Sequence, residues 1–526
     1  MPERQSSKRA VPEPTALIPW LRTHRLEAVA MTAVILALAM WRFGRTVADP
    51  DLWGHVRFGL DKIEAGRYLS VDTYSYLTEG MVWFNHEWLG EVIMGAAFLT
   101  MGSPGLVVLK ATLAAALVVF LTWWLLRLRI PPVRVAILMA INILLLTPTL
   151  GTFRPQIFTT VLFTATLTVM VAYSTNRTRL IWLLPLIFAV WVNLHGGVLS
   201  GIAVLWTWAL LYAVFRKDRP WEAVSVAGVS SAALLLNPHG VAHIRFLVET
   251  TTVSRPEIVE WASIDPLSPV GLGYFLVGVG LGVALVRSRH RLDPTLVVPL
   301  IGLIVAPLIA WRHLQFFVPA TVILGGPYWA LLMRTPGSRE EKSRQTSPIV
   351  AALFVLVSVV AVTFAVDRVA QARDCLVIEA AQFDYPARTV EALASADVTG
   401  NAVVTFNWGE YIIWHLGPEV QVSIDGRRET IYSADVLRAN LDFADGAGDW
   451  DRVLELGPAD LVIQATGTPG AQLMASQPGW RLVHEDLAAS VFVLASDPLE
   501  LRVDESIPAD GDGLCFGFDH RAQPGS

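Results

Sequence analysis

Ala48-Asp49-Pro50-Asp51-Leu52-Trp53-Gly54-His55 opens a polar stretch that continues through Asp72-Thr73-Tyr74-Ser75-Tyr76 and closes with Asn85-His86-Glu87-Trp88-Leu89. Outside it the chain is a succession of apolar segments, so its reading decides how those segments are arranged. Carboxylates, imidazoles and indoles crowded beside an apolar segment need a reason, because desolvating charge at a bilayer boundary is costly. Pro50 disfavours helix at the residue before it. The expectation is therefore that the first apolar segment ends near Ala48 and presents Asp49 and Asp51 in a turn.

Working outward, the 526 residues are 53% hydrophobic and only 16% charged, with a mean hydropathy of +0.49. That balance belongs to polytopic membrane proteins, not to large soluble enzymes. Nineteen tryptophans suit two interfacial belts. The net charge of −6, with no basic stripe interleaved with aromatics, argues against nucleic acid as a partner. Eleven segments are long enough to span, at about 17–25 residues each: 26–47, 104–126, 133–151, 155–174, 179–194, 197–215, 221–237, 269–286, 293–310, 314–333 and 348–366. The segment 88–101 is apolar but short, which fits a re-entrant or interfacial helix.

Orientation follows from the basic residues. Lys8, Arg9, Arg22 and Arg25 precede the first span, and further clusters fall at Arg127–Arg134, Arg177–Arg179, Arg216–Arg219, Arg287–Arg291 and Arg334–Arg344. Eleven spans put all of these in the cytoplasm, with Arg42 and Arg45 as exceptions that can snorkel. The expected layout is a cytoplasmic tail over 1–25 and a membrane domain over 26–366 whose first outer loop is 48–87. An extracytoplasmic α/β domain follows over 367–526. Short β-branched runs mark that last domain at Val403–Phe406, Val420–Ile424, Leu461–Ile463, Arg481–Val483 and Val491–Leu494. Both cysteines, Cys375 and Cys515, lie in it. An oxidising compartment allows a bridge, though two cysteines alone do not establish one.

The same topology gathers the chemistry-bearing groups on the outer face. Asp49, Asp51 and His55 lead, with Trp53 placed to stack on a sugar or an isoprenoid headgroup. An isolated Asp-Pro-Asp is also an ordinary helix terminator, but a carboxylate beside a hydroxyl can take its proton during attack. His86 and Glu87 follow; Glu87 could simply cap the helix after it, and the spacing is not that of a zinc helix. Asp49 and Asp51 offer hard oxygens that suit Mg²⁺ or Mn²⁺, although nothing in the spacing requires a cation. Arg154, in Gly151-Thr152-Phe153-Arg154-Pro155-Gln156, and Arg312 with His313 are two outward arginines. Singly they read as headgroup anchors and together as a phosphate clamp. Asn193-Leu194-His195-Gly196-Gly197 and Asn237-Pro238-His239-Gly240 echo one another; a turn explains the Asn and Gly but not the two histidines. Asn407-Trp408-Gly409-Glu410-Tyr411 and Asp425-Gly426-Arg427-Arg428 each follow a strand, where α/β ligands tend to sit. Clustering at one face suits a lipid-carried polar substrate and disfavours a transporter, which would place ionisable groups near mid-membrane.

The Asp-Pro-Asp-Leu-Trp-x-His, Asn-His-Glu-Trp-Leu, Trp-x-Asn-Leu-His-Gly-Gly and Asn-Pro-His-Gly motifs, with Asn-Trp-Gly-Glu-Tyr-Ile-Ile-Trp and Ile-Asp-Gly-Arg, resemble a bacterial family of multi-pass proteins. That family is similar in layout to the GT-C glycosyltransferase superfamily. The resemblance covers most of the chain and implies a polytopic helical membrane protein with a C-terminal α/β domain in the bacterial plasma membrane. It implies hexosyl or pentosyl transfer, with inversion, from a polyprenyl-phosphate-linked sugar to a glycan, lipid or protein acceptor. Asp49 or Asp51 would then hold the place of the family's first-loop acid. The competing expectation is a non-catalytic component of polysaccharide or envelope assembly, for which both aspartates are dispensable.

Overall fold

The computed structural model describes residues 25–44, 47–216, 219–250, 258–333, 348–371, 375–380 and 384–517. Lys8, Arg9, Arg22, Arg45, Lys217 and the cluster Arg334, Arg339, Lys342 and Arg344 lie outside the described residues. Two compact units emerge: Met1–Arg45 with Val108–Arg373, and Thr46–Val107 with Asp374–Ser526.

The described residues of the first unit form helices joined by turns, and each of the eleven apolar segments forms helix. Among the described residues, six helices are long and apolar enough to cross a membrane: Arg25–Phe43, Ser103–Arg127, Pro132–Leu150, Gln156–Asn176, Val198–Phe215 and Pro269–Arg287. Counting two bent pairs as single spans raises the number to eight, so length and composition alone do not reach the expected eleven. The expected span 314–333 is bent, and a second bend follows the expected span 221–237. Pro220–Leu236 and Val241–Thr250 meet at 100°, and Trp311–Ile323 and Gly326–Met333 at 54°. Asn237-Pro238-His239-Gly240 supplies the first break, where Gly240 takes φ +53° and the proline limits helix before it. Two others, Arg179–Trp191 and Pro294–Leu308, are shorter than a full span. Large aromatics fill the interior: Tyr173, Trp208 and Tyr212 are buried in mutual contact, with Trp208 and Tyr212 rings 5.3 Å apart.

The second unit brings the polar stretch together with the C-terminal region. Its sheet has five strands, β1 (Gly400–Val404), β2 (Val420–Val422), β3 (Leu461–Ala465), β4 (Trp480–Glu485) and β5 (Ala489–Leu494), in the order β2-β1-β3-β5-β4. The first three run parallel, with Val403 opposite Val462, and β5 pairs antiparallel with both β3 and β4. Each of the five β-branched runs thus contributes to a strand; Thr405 and Phe406 lie past the end of β1, and Ser423 and Ile424 past the end of β2. Val403, Val462 and Phe492 project from neighbouring strands into one core with Phe443, Val453 and Met474. Residues of the first loop extend this sheet: Val422 N–H donates to Tyr74 O at 3.1 Å, and Ser75 bridges Val422 in parallel.

Candidate active site

Asp49-Pro50-Asp51 does not form the expected turn after the first span. That span ends at Phe43, and a second helix, Pro50–Ala65, begins within the motif. The reason is local. Proline at the first helical position has φ already set and needs no N–H partner, and Asp49 caps the helix by accepting from Leu52 N–H at 3.1 Å. Gly66, at φ +61°, closes the other end. Asp49 is completely buried, whereas Asp51, in the first turn, is half-buried.

On this helix Asp51, His55, Phe58 and Lys62 recur at helical spacing and share one face. His55 stands with Nε2 3.8 Å from Glu87 Oε2 and Nδ1 3.7 Å from Glu91 Oε1. His86 Nε2 lies 3.4 Å from the other Glu87 oxygen. Glu87 occupies the N-cap position of the helix Trp88–Met101 without making a side-chain cap bond; its carboxylate lies instead between two imidazoles. Burial alone would pull His55 down, but Glu91, Glu87 and Asp51 outweigh it and raise its pKa above the usual imidazole value. His86 is likewise raised, with Glu87 overcoming burial.

Behind this partly open surface lies a buried ion lattice. Lys62 Nζ donates to Glu91 Oε2 at 2.8 Å, as does Asn85 Nδ2 at 2.7 Å. Burial pushes the Glu91 carboxyl up, but the Lys62 ammonium and His55 hold it below the usual carboxylate range. Arg427 donates through Nε and Nη2 to the two Asp425 oxygens, at 2.9 and 2.7 Å, and through Nη1 to Asp72 at 2.5 Å. Tyr432 OH adds a 2.7 Å bond to Asp425. Phe58 and Trp83 face both cations, with Lys62 Nζ 4.6 Å and Arg427 Cζ 4.9 Å from the Trp83 ring. Trp53 belongs to the core: it is fully buried, 4.4 Å from Phe516 and 4.8 Å from Tyr411 between ring centres. A cavity of about 370 Å³ opens elsewhere along the same helix, lined by Arg57, Asp61, Tyr74, Ile413 and Pro418, none of which belongs to the acid and imidazole cluster.

In the helical unit, Arg154 and Arg312 line one small cleft with Thr152, Gln156, Glu260 and Gln315. Arg154 Nη1 lies 3.4 Å from Glu260 Oε1, and Arg312 sits 4.6 Å over the Trp261 ring. Both arginines are therefore contacted by consecutive residues of the 3₁₀ turn Val259–Trp261. The Asn-His echoes also meet: Asn237 Nδ2 donates to Asn193 Oδ1 at 3.2 Å, and Asn193 Nδ2 to Leu236 O at 3.3 Å. His195 is buried, its Nδ1 accepting from Gly197 N–H at 2.9 Å and lying 3.0 Å from Thr159 Oγ1. His239 donates its backbone N–H to Asn237 Oδ1 at 3.0 Å, and His313 Nδ1 lies 3.0 Å from Ala306 O.

Among the described residues, no three His, Cys, Asp or Glu side chains are arranged to hold a metal ion. One oxygen of Asp49 is taken by the Leu52 N–H at 3.1 Å. Glu91, Lys62, Glu260 and Gln315 were absent from the candidates that sequence supplied. Glu91 carried a signal, as an acid within the apolar run 88–101, and Lys62 another, at helical spacing from Asp51.

No family model matches the chain, and no curated protein matches it. Solved structures do share its fold. The oligosaccharyltransferase of Archaeoglobus fulgidus in the apo form aligns with a TM-score of 0.56 at 12% identity, covering 92% of this chain and 76% of that one. ArnT from Cupriavidus metallidurans bound to undecaprenyl phosphate gives 0.52 at 14% identity, covering 92% and 99%. The apo state of the same protein gives 0.50 at 14% identity, covering 91% and 98%. The chain shares the fold of these proteins, with helices long and apolar enough to cross a membrane and a small C-terminal sheet domain.

Proposed function

We propose that the protein is a membrane glycosyltransferase that moves a sugar, with inversion, from a polyprenyl-phosphate donor to an extracytoplasmic acceptor. Asp51 is the general base and His55 its neighbour. The observation that carries the reading is the contrast within Asp-Pro-Asp: Asp49 is buried in a helix cap, while Asp51 stays partly open beside an imidazole-carboxylate cluster. A carboxylate in that position can take the proton from an acceptor hydroxyl. The acceptor oxygen then forms its bond to the anomeric carbon as the carbon–oxygen bond to phosphate breaks, the electron pair leaving with the phosphate. Arg154 and Arg312 hold that phosphate, since guanidinium matches its oxygens and offsets the leaving charge. A relative in fold bound to undecaprenyl phosphate supports a polyprenyl lipid as donor. We assign His86 and Glu87 to acceptor binding, and Asn193, His195, His239 and His313 to substrate contacts in the helical unit. The chemistry assigned to Asp51 is carried by its own carboxylate.

The test is transfer by purified full-length protein from undecaprenyl-phosphate-linked glucose, mannose, galactose or arabinose. Asp51→Asn should abolish turnover while leaving binding of undecaprenyl phosphate intact. Turnover at the wild-type rate in that variant would remove Asp51 from the chemistry.

A further inference from the structure

Glu410 occupies the first turn of the helix Gly409–Leu416, directly after β1, and is 4% exposed. Its Oε2 accepts from Gly54 N–H at 3.0 Å. Its Oε1 faces the loop after β2, where a Cβ placed on Gly426 would meet Glu410 Oε1 at 2.7 Å and Asp51 Oδ1 at 2.9 Å. The two carboxyls thus border the same small gap. Glycine at three positions makes this approach possible. A Cβ on Gly54 would stand 2.3 Å from the Glu410 carboxyl carbon, and one on Gly409 would stand 2.1 Å from Ile424 O. Any side chain at Gly54 or Gly426 would drive the Glu410 carboxyl out.

The charged groups facing Glu410 are Asp51 from the helix Pro50–Ala65 and Asp425 and Arg427 from the loop after β2. Arg427 directs its donors to Asp425, Asp72 and Tyr432, and no cation bonds Glu410 among the described residues. Burial first, and then the Asp51 and Asp425 charges, push the Glu410 carboxyl well above its usual value. Two close carboxyls in such a setting ionise one at a time.

We propose that Glu410 is a positioning residue for Asp51: the two carboxyls hold one proton between them, carried on Glu410 Oε1, so that Asp51 alone bears charge and is oriented toward the acceptor hydroxyl. The proposal rests on Asp51 being the base. Glu410 keeps its proton through the reaction and neither gives nor receives one in the transfer step.

Infrared difference spectroscopy of the full-length protein, titrated with acid and base, tests the pair without any substrate. Wild type should show a protonated-carboxyl band persisting to neutral pH. The band should vanish in Glu410→Gln, and in Asp51→Asn it should titrate at lower pH because a neighbouring charge is gone. No such band in wild type, or a band indifferent to Asp51→Asn, overturns the pairing. The sugar-transfer assay supplies the second arm. Glu410→Ala should lower kcat by roughly 10–100-fold with KM little changed. Wild type should lose rate at alkaline pH as the Glu410 proton is lost; Glu410→Gln, which can still accept from Gly54 and donate toward Asp51, should recover most of the Glu410→Ala loss and show no such alkaline fall. Glu410→Gln as inactive as Glu410→Ala, or with the wild-type pH profile, overturns the positioning role. If Asp51→Asn turns over at the wild-type rate while the infrared coupling holds, the pair stands and the base assignment alone fails.

Discussion

Asp72 and Arg427 form an ion pair of 2.5 Å across 355 residues of sequence, both buried, and join the first loop to the segment after β2. Breaking a buried pair leaves an uncompensated charge, at a cost of about 3–5 kcal/mol. Arg427→Ala strands both Asp425 and Asp72, so the midpoint of thermal unfolding in detergent should fall sharply. Arg427→Lys should recover little, because a single ammonium cannot reproduce the fork to Asp425. An unchanged midpoint in Arg427→Ala would show that the lattice does not hold this unit together.

The imidazole cluster gives stability a defined pH dependence. His55 has its folded pKa raised above the unfolded value of about 6.5. Its contribution is therefore complete below that value and lost as pH rises through the folded pKa. Melting curves across the range above pH ~6.5 should show wild type declining more steeply than His55→Gln. Parallel declines would mean that His55 is not held protonated by Glu91 and Glu87.

Cys375 and Cys515 are bonded, with Cα atoms 5.3 Å apart and a sequence separation of 140, which resolves a question that two cysteines leave open in sequence. The bridge sits beside Val377, which pairs with both Cys515 and Val47, and Ala48 N–H donates to Val377 O at 3.1 Å. It thus steadies the entry to the helix that carries Asp51. Closing so long a loop contributes roughly 4–5 kcal/mol in the chain-entropy model. Cys375→Ser/Cys515→Ser should unfold at lower temperature and lose protection from proteolysis near Ala48; equal protection in both proteins would contradict that link.

Much of this fold is legible in the sequence because its signals are periodic and long. Eleven apolar segments are helical, and five β-branched runs each contribute to a strand, since burial on both faces of a sheet needs little context to read. The helix Pro50–Ala65 was not legible as a helix. Pro50 disfavours helix at Asp49, and the same ring starts a helix from the first helical position, so the two signals overlap at one residue. The polarity of 48–87 also disguised a segment whose apolar side packs in its own unit. Glu410 and Arg427 were visible as motifs, but their partners Gly54, Asp51 and Asp72 lie more than 350 residues away, and pairing at that distance leaves no spacing to detect. Arg154 and Arg312 could be paired by shared topology, whereas Glu260, which contacts the first, had no pattern around it.

For these two arginines the expected outcome is a loss of lipid affinity. Each charge-assisted bond to phosphate is worth about 1.5–3 kcal/mol, so Arg312→Ala should weaken undecaprenyl phosphate binding by roughly 10–100-fold. Glu260→Gln should tighten it, because the carboxylate 3.4 Å from Arg154 no longer competes. Equal affinity in all three proteins, measured in nanodiscs, would exclude both arginines as phosphate ligands.

The most direct measurement compares initial rates of sugar transfer by wild type, Asp49→Asn, Asp51→Asn and the double variant, each verified as folded by its thermal midpoint. Loss of a general base costs typically ~10²–10⁴-fold. The account predicts that loss for Asp51→Asn and for the double variant, with Asp49→Asn showing mainly the lower stability expected of a lost helix cap, about 1 kcal/mol. Transfer at the wild-type rate by the folded double variant would contradict it and favour a non-catalytic role in envelope assembly.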